Sequence, residues 1–226
     1  MIMDTDNPHR IRAVLFDFGG VIAEEGFRDG LRALAGQQGL DPDAVSREGR
    51  LAVHDSGYVT GSGSESDFWA LLRRRTGLAG TDAELTRAIL DRFIVRPWMI
   101  DLARRLRAAG LSVAILSDQT DWLERLDARY RFGDAFDRVF NSYRLGRSKR
   151  EPGLFDTAVA DLGLAPQQAL FVDDDSGNVE RARRRGLHAI RYDSRESFET
   201  QLQALLGPRL AGRPPPRRQG DRGFLD

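Results

Sequence analysis

The chain of 226 residues contains no cysteine, which excludes disulfide bonds, thiolate catalysis and metal sites built from cysteine. It also lacks an excess of charge of either sign, because 34 basic residues balance 34 acidic ones. This balance does not indicate a nucleic-acid or membrane surface as a partner. No apolar run approaches the length of a membrane span, and residues 1–12 contain no apolar segment like that of a signal peptide. We therefore expect a cytoplasmic protein.

Lysine is almost absent. Lys149 is the only lysine, so 33 of the 34 basic residues are arginine. Such a bias is typical of a GC-rich genome, in which arginine takes over surface positions where either residue would serve. A lone lysine in that background indicates a site where a guanidinium cannot replace a compact ammonium. The alternative is a surface lysine that survived by chance, and the surroundings of Lys149 have to decide.

Short apolar runs and helical patterns alternate along most of the chain. Five runs have the length and composition of strands buried on both faces: 13–16, 111–116, 138–140, 169–172 and 188–192. From the second run onward a helical pattern follows each strand, which predicts parallel strands joined by helices. The predicted fold class is therefore α/β, with a Rossmann-like parallel sheet.

A long insert separates the first predicted strand from the second. Residues 24–95 contain four helical segments and no convincing strand, so we interpret them as an all-helical cap inserted into the core. The core then comprises residues 11–23 and 96–206. Residues 207–226 include three consecutive prolines and several arginines, which predict a disordered tail.

Polar residues stand where three of the predicted strands end. Asp17 follows the first strand, Ser117 follows the second, and Asp173 and Asp174 follow the fourth. The carboxyl ends of parallel strands lie along one edge of the sheet, which is where open α/β sheets bind ligands. Each signal alone also fits a structural role, such as a polar strand end or a helix N-cap. Their convergence on one edge predicts a shared site.

The residue types at this edge suit phosphoryl transfer. An aspartate such as Asp17 can act as a nucleophile that forms a covalent intermediate. Crowding it with Asp173 and Asp174 is electrostatically costly unless a cation lies among them, and Mg²⁺ suits a shell of hard oxygen ligands. Ser117 can donate a hydrogen bond to a phosphate oxygen, and Lys149 can add positive charge at the transferring group.

With these residues in place, the chain resembles the haloacid dehalogenase-like (HAD) superfamily over residues 11–193. The first family motif is matched by Phe16-Asp17-Phe18-Gly19-Gly20-Val21, and the second by Leu116-Ser117-Asp118. Lys149 matches the third motif, and Phe171-Val172-Asp173-Asp174 with Asn178 matches the fourth. The helical insert is similar to the C1 cap of subfamily I.

The resemblance implies a phosphatase that depends on Mg²⁺, acts on a small phosphorylated metabolite and forms an aspartyl phosphate on Asp17. It also implies a role for each matched residue. The implied sets are catalytic Asp17, Ser117 and Lys149; substrate-binding Gly19, Gly20, Ser117, Asp118 and Lys149; metal-binding Asp17, Gly19 (through its carbonyl) and Asp174; and metal-supporting Asp173 and Asn178.

Two positions depart from the usual family pattern. Gly19 stands where phosphatases of the family commonly have a second aspartate, which transfers protons and contributes roughly 10²–10⁴-fold in rate. Either the substrate has a good leaving group, or a residue of the cap supplies the proton. Restoring the carboxylate by Gly19→Asp is then expected to raise turnover of esters with poor leaving groups. Arg150 stands where the family usually has proline. The cap candidates, each expected to be an ordinary surface residue, are Glu24, Glu25, His54 and Asp55.

Two other functions stay open. A haloacid dehalogenase also lacks the second aspartate and uses its nucleophile to attack carbon. It needs no metal, however, and the Asp173-Asp174 pair argues for one. A non-catalytic relative that binds a phosphorylated ligand or a partner protein is the other alternative, because Gly19 removes a catalytic group. Phosphate release with Mg²⁺, halide release without metal, or neither activity distinguishes the three.

Overall fold

A computed structural model of the chain describes residues 10–207. Its centre is a five-stranded parallel sheet with the strand order β3-β2-β1-β4-β5. The strands are β1 (Ala13–Phe16), β2 (Ser112–Ser117), β3 (Arg138–Asn141), β4 (Ala169–Asp173) and β5 (His188–Arg191). The predicted α/β fold with a parallel sheet is confirmed. Apart from Gly207, the predicted tail lies outside the described residues.

Three strands extend one residue further than their apolar runs predict. Ser117 still pairs with Asn141 of β3, and Asp173 still pairs with Arg191 of β5. The ladder therefore continues into the polar residues, because backbone pairing does not require an apolar side chain. The consequence is that Ser117 and Asp173 are held by the sheet itself rather than by a loop.

Four α-helices lie in the predicted insert, residues 24–95, which precedes β2. They are α1 (Gly26–Gln37), α2 (Pro42–Asp55), α3 (Glu65–Thr76) and α4 (Asp82–Leu90), and they correspond to the four helical segments predicted there. Ser64 and Thr81 are the N-caps of α3 and α4, and each forms a capping box with the acidic residue three positions later.

The remaining helices follow along the chain. They are α5 (Pro97–Ala108), α6 (Trp122–Tyr130), α7 (Ser142–Leu145), α8 (Gly153–Asp161), α9 (Ser176–Arg184) and α10 (Arg195–Leu206). Four of them, α5, α10, α8 and α9, pack on the two faces of the sheet. Val14 and Phe16 of β1 pack into the core with α5 and α10, whereas Ala13 and Leu15 pack on the opposite face with α8 and α9. A strand covered on both faces has to be apolar at every position, which explains the run 13–16. Within residues 10–207 no helix is long and apolar enough to cross a membrane.

An aromatic cluster joins the insert to the core. Trp122 of α6 is 1% exposed, and its ring centroid lies within 6.2 Å of those of Phe27, Tyr58, Phe68 and Trp69 of the insert. Each aromatic pair contributes roughly 0.5–1.5 kcal/mol beyond the burial of its surface. The insert is therefore packed firmly against the core, next to the carboxyl edge of the sheet.

Candidate active site

Asp17 directly follows the central strand, and three donors hold its carboxylate. Its Oδ1 accepts hydrogen bonds from Ser117 Oγ at 2.6 Å and from Phe18 N at 2.7 Å. Its Oδ2 lies 2.9 Å from Lys149 Nζ. The residue is only 8% exposed. The three residues predicted to be catalytic are thus in direct contact, and the carboxylate is held in one orientation, as a nucleophile requires.

Lys149 is an enclosed cation. Its side chain is 1% exposed, and Nζ also lies 2.6 Å from Asp173 Oδ2. Burial alone would lower the pKa of Lys149, but the charges of Asp17 and Asp173 outweigh burial and raise the pKa. Lys149 is therefore an ammonium at neutral pH. This position excludes the alternative that the only lysine is a leftover surface residue.

Asp118 holds the backbone at Lys149. Its Oδ1 accepts a hydrogen bond from Lys149 N at 2.8 Å, and burial raises the pKa of Asp118. The carboxylate of Asp118 thus bridges the end of β2 and the loop before α8. The structure thus shows Asp118 in contact with the backbone of Lys149. The predicted role of Asp118 in binding substrate remains a prediction.

Asp173 is fully buried and surrounded by donors. In addition to Lys149, its Oδ2 accepts a hydrogen bond from Asn178 Nδ2 at 3.1 Å, and its Oδ1 accepts one from Asp175 N at 2.8 Å. Burial raises the pKa of Asp173, although the charge of Lys149 opposes the shift. The carboxylate is therefore engaged with Lys149 and the start of α9, which fits a supporting place beside a metal rather than a ligand.

Asp174 approaches the turn after β1 so closely that only glycine fits opposite it. A Cβ on Gly20 would lie 2.4 Å from Asp174 Oδ2, and Gly20 has a φ of +78°. Glycine alone meets both conditions without strain. Burial and the charge of Asp17 raise the pKa of Asp174 to about 6. Among the described residues Asp174 has no ion-pair partner, so its carboxylate is free to bind a cation.

Oxygen atoms of Asp17, Asp173 and Asp174 lie within 4.8 Å of one another. One lysine does not balance three carboxylates, and a divalent cation with oxygen ligands would remove the remaining repulsion. Asp173 is fully buried and both of its oxygens accept hydrogen bonds, whereas Asp174 has no ion-pair partner among the described residues. Asp174 is therefore the carboxylate best placed to bind the ion together with Asp17. The donor set fits Mg²⁺. The carbonyl of Gly19 remains a predicted third ligand.

The space beside Gly19 is occupied by the carboxylate of Glu25. A Cβ on Gly19 would lie 3.0 Å from Glu25 Oε2. Glu25 is the N-cap of α1, where its Oε1 accepts a hydrogen bond from Arg28 N at 3.0 Å. Burial raises the pKa of Glu25 to about 7, and the charges of Asp174 and Asp17 act in the same direction. The expectation that Glu25 is an ordinary surface residue is therefore wrong.

The other three cap candidates do not line the cavity that contains Asp17. Glu24 is exposed and pairs with Arg96 at 2.8 Å, and Asp55 is exposed and pairs with Arg75 at 2.8 Å. Both are surface residues, as expected. His54 is half-buried, and burial is the main reason that its pKa is lowered to about 4.

Arg96 supports the turn after β1, and no sequence motif indicated it. Its Nη1 donates hydrogen bonds to the carbonyl oxygens of Gly20 at 2.7 Å and Val21 at 2.8 Å. Glu24 orients the same guanidinium. The residue is one arginine among 33 and lies 76 positions from Gly20, so only the folded chain reveals the contact.

Two adjoining cavities open at this edge of the sheet. The smaller, of about 110 Å³, contains the nucleophile, and the larger, of about 460 Å³, contains several basic side chains. Residues of the smaller cavity include Asp17, Gly19, Glu25 and Ser117; those of the larger include Arg47, Arg50, His54 and Arg150. Both are lined by Phe27, Val53 and Asp118, so these three residues separate two neighbouring cavities. A volume of this order suits a small molecule.

Comparisons with known proteins point to one family. The family model of the haloacid dehalogenase-like hydrolases matches residues 11–184 of this chain. Acyl-CoA dehydrogenase family member 10 of Mus musculus is 32% identical over 111 residues, which are 49% of this chain but only 10% of that protein. D-ribitol-5-phosphate phosphatase of Bacteroides thetaiotaomicron is 26% identical over 211 residues, or 87% of this chain and 98% of that protein. A crystal structure of a HAD family enzyme of the same organism, in complex with magnesium and inorganic phosphate, matches with a TM-score of 0.67 at 21% identity and covers 84% of this chain and 98% of that one.

Proposed function

Because this chain belongs to the haloacid dehalogenase-like hydrolases, we propose that it is a Mg²⁺-dependent phosphatase that hydrolyses a small phosphorylated metabolite through an aspartyl phosphate on Asp17. The observation that carries the proposal is the surroundings of Asp17. A hydroxyl and an ammonium contact its carboxylate directly, and the unpaired carboxylate of Asp174 lies beside it. Nucleophile, charge stabilisation and a metal site are the components that phosphoryl transfer to an aspartate needs.

The reaction has two displacement steps. In the first, an oxygen of Asp17 bonds to phosphorus as the ester P–O bond breaks and the alcohol leaves. In the second, a water oxygen bonds to phosphorus, the bond between phosphorus and Asp17 breaks, and inorganic phosphate leaves. Ser117 and Lys149 donate to the incoming phosphoryl oxygens and stabilise the charge of both transition states. When bound, Mg²⁺ at Asp17 and Asp174 neutralises the phosphoryl group.

Two observations favour this reaction over the alternatives. A dehalogenase needs no metal, whereas the cluster of Asp17, Asp173 and Asp174 carries more negative charge than Lys149 balances and fits a divalent cation. A binding protein has no need of a buried lysine and serine aimed at one carboxylate. The larger cavity and the polyol phosphate named for the Bacteroides relative support a small phosphate ester as substrate.

The test is phosphate release from a panel of small phosphate esters that includes polyol phosphates, sugar 1-phosphates and acyl phosphates. We expect release in Mg²⁺ and none in excess chelator. Asp17→Asn should abolish turnover, because an amide is not a nucleophile. Asp29→Asn, at an exposed aspartate of α1, is the matched control and should retain turnover. Mass spectrometry after an acid quench should find phosphate on Asp17.

Two results would replace the proposal. Metal-independent halide release from a 2-haloacid would identify a dehalogenase. Tight phosphate binding without turnover of any ester would indicate the non-catalytic alternative.

A further inference from the structure

The chemistry proposed above requires two proton transfers that Gly19 cannot perform. The departing alkoxide has to gain a proton, and the water that attacks the aspartyl phosphate has to lose one. A side chain at position 19 would stand beside the nucleophile and serve both steps. Gly19 offers no such group, so another residue has to reach the same space.

The carboxylate of Glu25 occupies that space. Its Oε2 lies 3.0 Å from the point where the Cβ of residue 19 would be. Glu25, Asp17, Ser117 and Gly19 line one cavity of about 110 Å³. A carboxylate that comes from α1 therefore reaches the region that a carboxylate on residue 19 would serve.

The contacts of Glu25 leave one oxygen available. Its Oε1 caps α1 through Arg28 N, while Oε2 faces Gly19. Across residues 10–207 no lysine or arginine side chain forms an ion pair with Glu25. Glutamate is also not one of the preferred N-cap residues, which are Ser, Thr, Asp and Asn. A purely capping role thus explains neither the residue type nor the direction of its second oxygen.

We propose that Glu25 is the general acid and base of this phosphatase, in place of the side chain that Gly19 lacks. This inference rests on the proposed function. In the first step the carboxyl group of Glu25 gives its proton to the ester oxygen as the bond from that oxygen to phosphorus breaks. In the second step the resulting carboxylate takes a proton from the attacking water, which restores the carboxyl group for the next cycle.

The test compares two substrates that differ in their need for a general acid. An alkyl phosphate has a poor leaving group, whereas 4-nitrophenyl phosphate releases a stable anion. Glu25→Gln keeps the size and the capping oxygen but cannot donate a proton in the same way. We expect kcat/KM for the alkyl phosphate to fall roughly 10²–10⁴-fold and that for 4-nitrophenyl phosphate to change far less. A burst of nitrophenolate should precede slow turnover, because the aspartyl phosphate then lacks its base.

A matched control and a rescue variant sharpen the test. Glu24→Gln changes the neighbouring carboxylate, which faces Arg96, and should leave the ratio of the two kcat/KM values unaltered. In Gly19→Asp/Glu25→Ala the removal of Glu25 opens room for a side chain at position 19, where φ is not positive. This double variant should recover much of the activity on the alkyl phosphate.

The possible failures are distinguishable. If the wild-type enzyme hydrolyses both esters and Glu25→Gln reduces both equally, or neither, with an unchanged melting temperature, Glu25 is not the proton donor. If the wild-type enzyme releases phosphate from neither ester nor from the wider panel, the proposed function itself is overturned.

Discussion

Replacing Lys149 by methionine should destabilise the protein strongly when no Mg²⁺ is present. Methionine has a similar length but no charge. The substitution removes the cation that contacts Asp17 at 2.9 Å and Asp173 at 2.6 Å in a fully buried position. Asp17, Asp173 and Asp174, whose oxygens lie within 4.8 Å of one another, are then left without a counter-charge.

The size of the effect follows from the burial of the pair. Removing one partner of a buried ion pair costs about 3–5 kcal/mol, because the other charge stays desolvated. For a chain of this size each kcal/mol lowers the melting temperature by about 2–4 °C. We therefore expect Lys149→Met to melt about 6–20 °C below the wild type in chelator. Mg²⁺ should narrow this gap, because an ion that binds the folded state stabilises it and relieves the same repulsion.

Differential scanning calorimetry in chelator and in Mg²⁺ measures the drop in melting temperature and the extent to which Mg²⁺ reduces it. The control is the double variant Lys149→Met/Asp173→Asn, which removes one charge of each sign. The double variant should be more stable than Lys149→Met, because Asp173→Asn also removes the buried negative charge that Lys149→Met leaves without a partner. Two results would refute this account of the site. One is that Lys149→Met lowers the free energy of unfolding by less than about 1 kcal/mol. The other is that the loss in the double variant equals the sum of the losses in the two single variants.

Two further predictions concern the insert. Trp122→Ala should lower the free energy of unfolding, measured by urea unfolding, by about 3–5 kcal/mol. The reason is that Trp122 is the residue of the core that packs against the aromatic side chains of the insert. Trp122→Phe should cost less, since the indole N–H is buried without a hydrogen-bond partner among residues 10–207. The second prediction concerns His54 of α2. Burial and the charge of Arg150 lower the pKa of His54 from 6.5 to about 4. Between pH 4 and pH 6.5 the folded state therefore binds fewer protons than the unfolded chain. Stability should therefore fall as the pH drops from 6.5 to 4, and urea midpoints of His54→Gln should fall less over the same range.

The clustering of polar residues at the strand ends could be predicted from the sequence, because two physical rules determine it. The apolar run 13–16 requires a strand covered on both faces, and parallel strands bring their carboxyl ends to one edge. Asp17, Ser117 and Asp173 lie at the ends of three different strands and are far apart in sequence, yet these two rules place them together. The sole lysine was a compositional signal, and its position beside Asp17 and Asp173 agrees with it.

The contacts between the insert and the turn after β1 were not predictable from the sequence. Arg96 is one of 33 arginines, and its bonds to Gly20 and Val21 depend on how the chain returns from the insert to the core. Glu24 and Glu25 are adjacent and chemically alike, yet one is exposed beside Arg96 and the other lies in the cavity with Asp17. The start of α1 decides which of the two turns inward, and no local pattern specifies it.

The two glycines after Asp17 illustrate why a missing side chain has to be interpreted in three dimensions. Gly20 is required by its backbone, since its φ is +78° and Asp174 fills the space that a Cβ would need. Gly19 has no such backbone constraint, and the group that limits its side chain is the carboxylate of Glu25. The single substitution Gly19→Asp would therefore bring a second carboxylate against Glu25, and the gain in turnover expected from the sequence should not appear. An aspartate at position 19 requires the side chain of Glu25 to move away or to be removed, so the absence of a carboxylate at Gly19 and its presence at Glu25 are one structural feature.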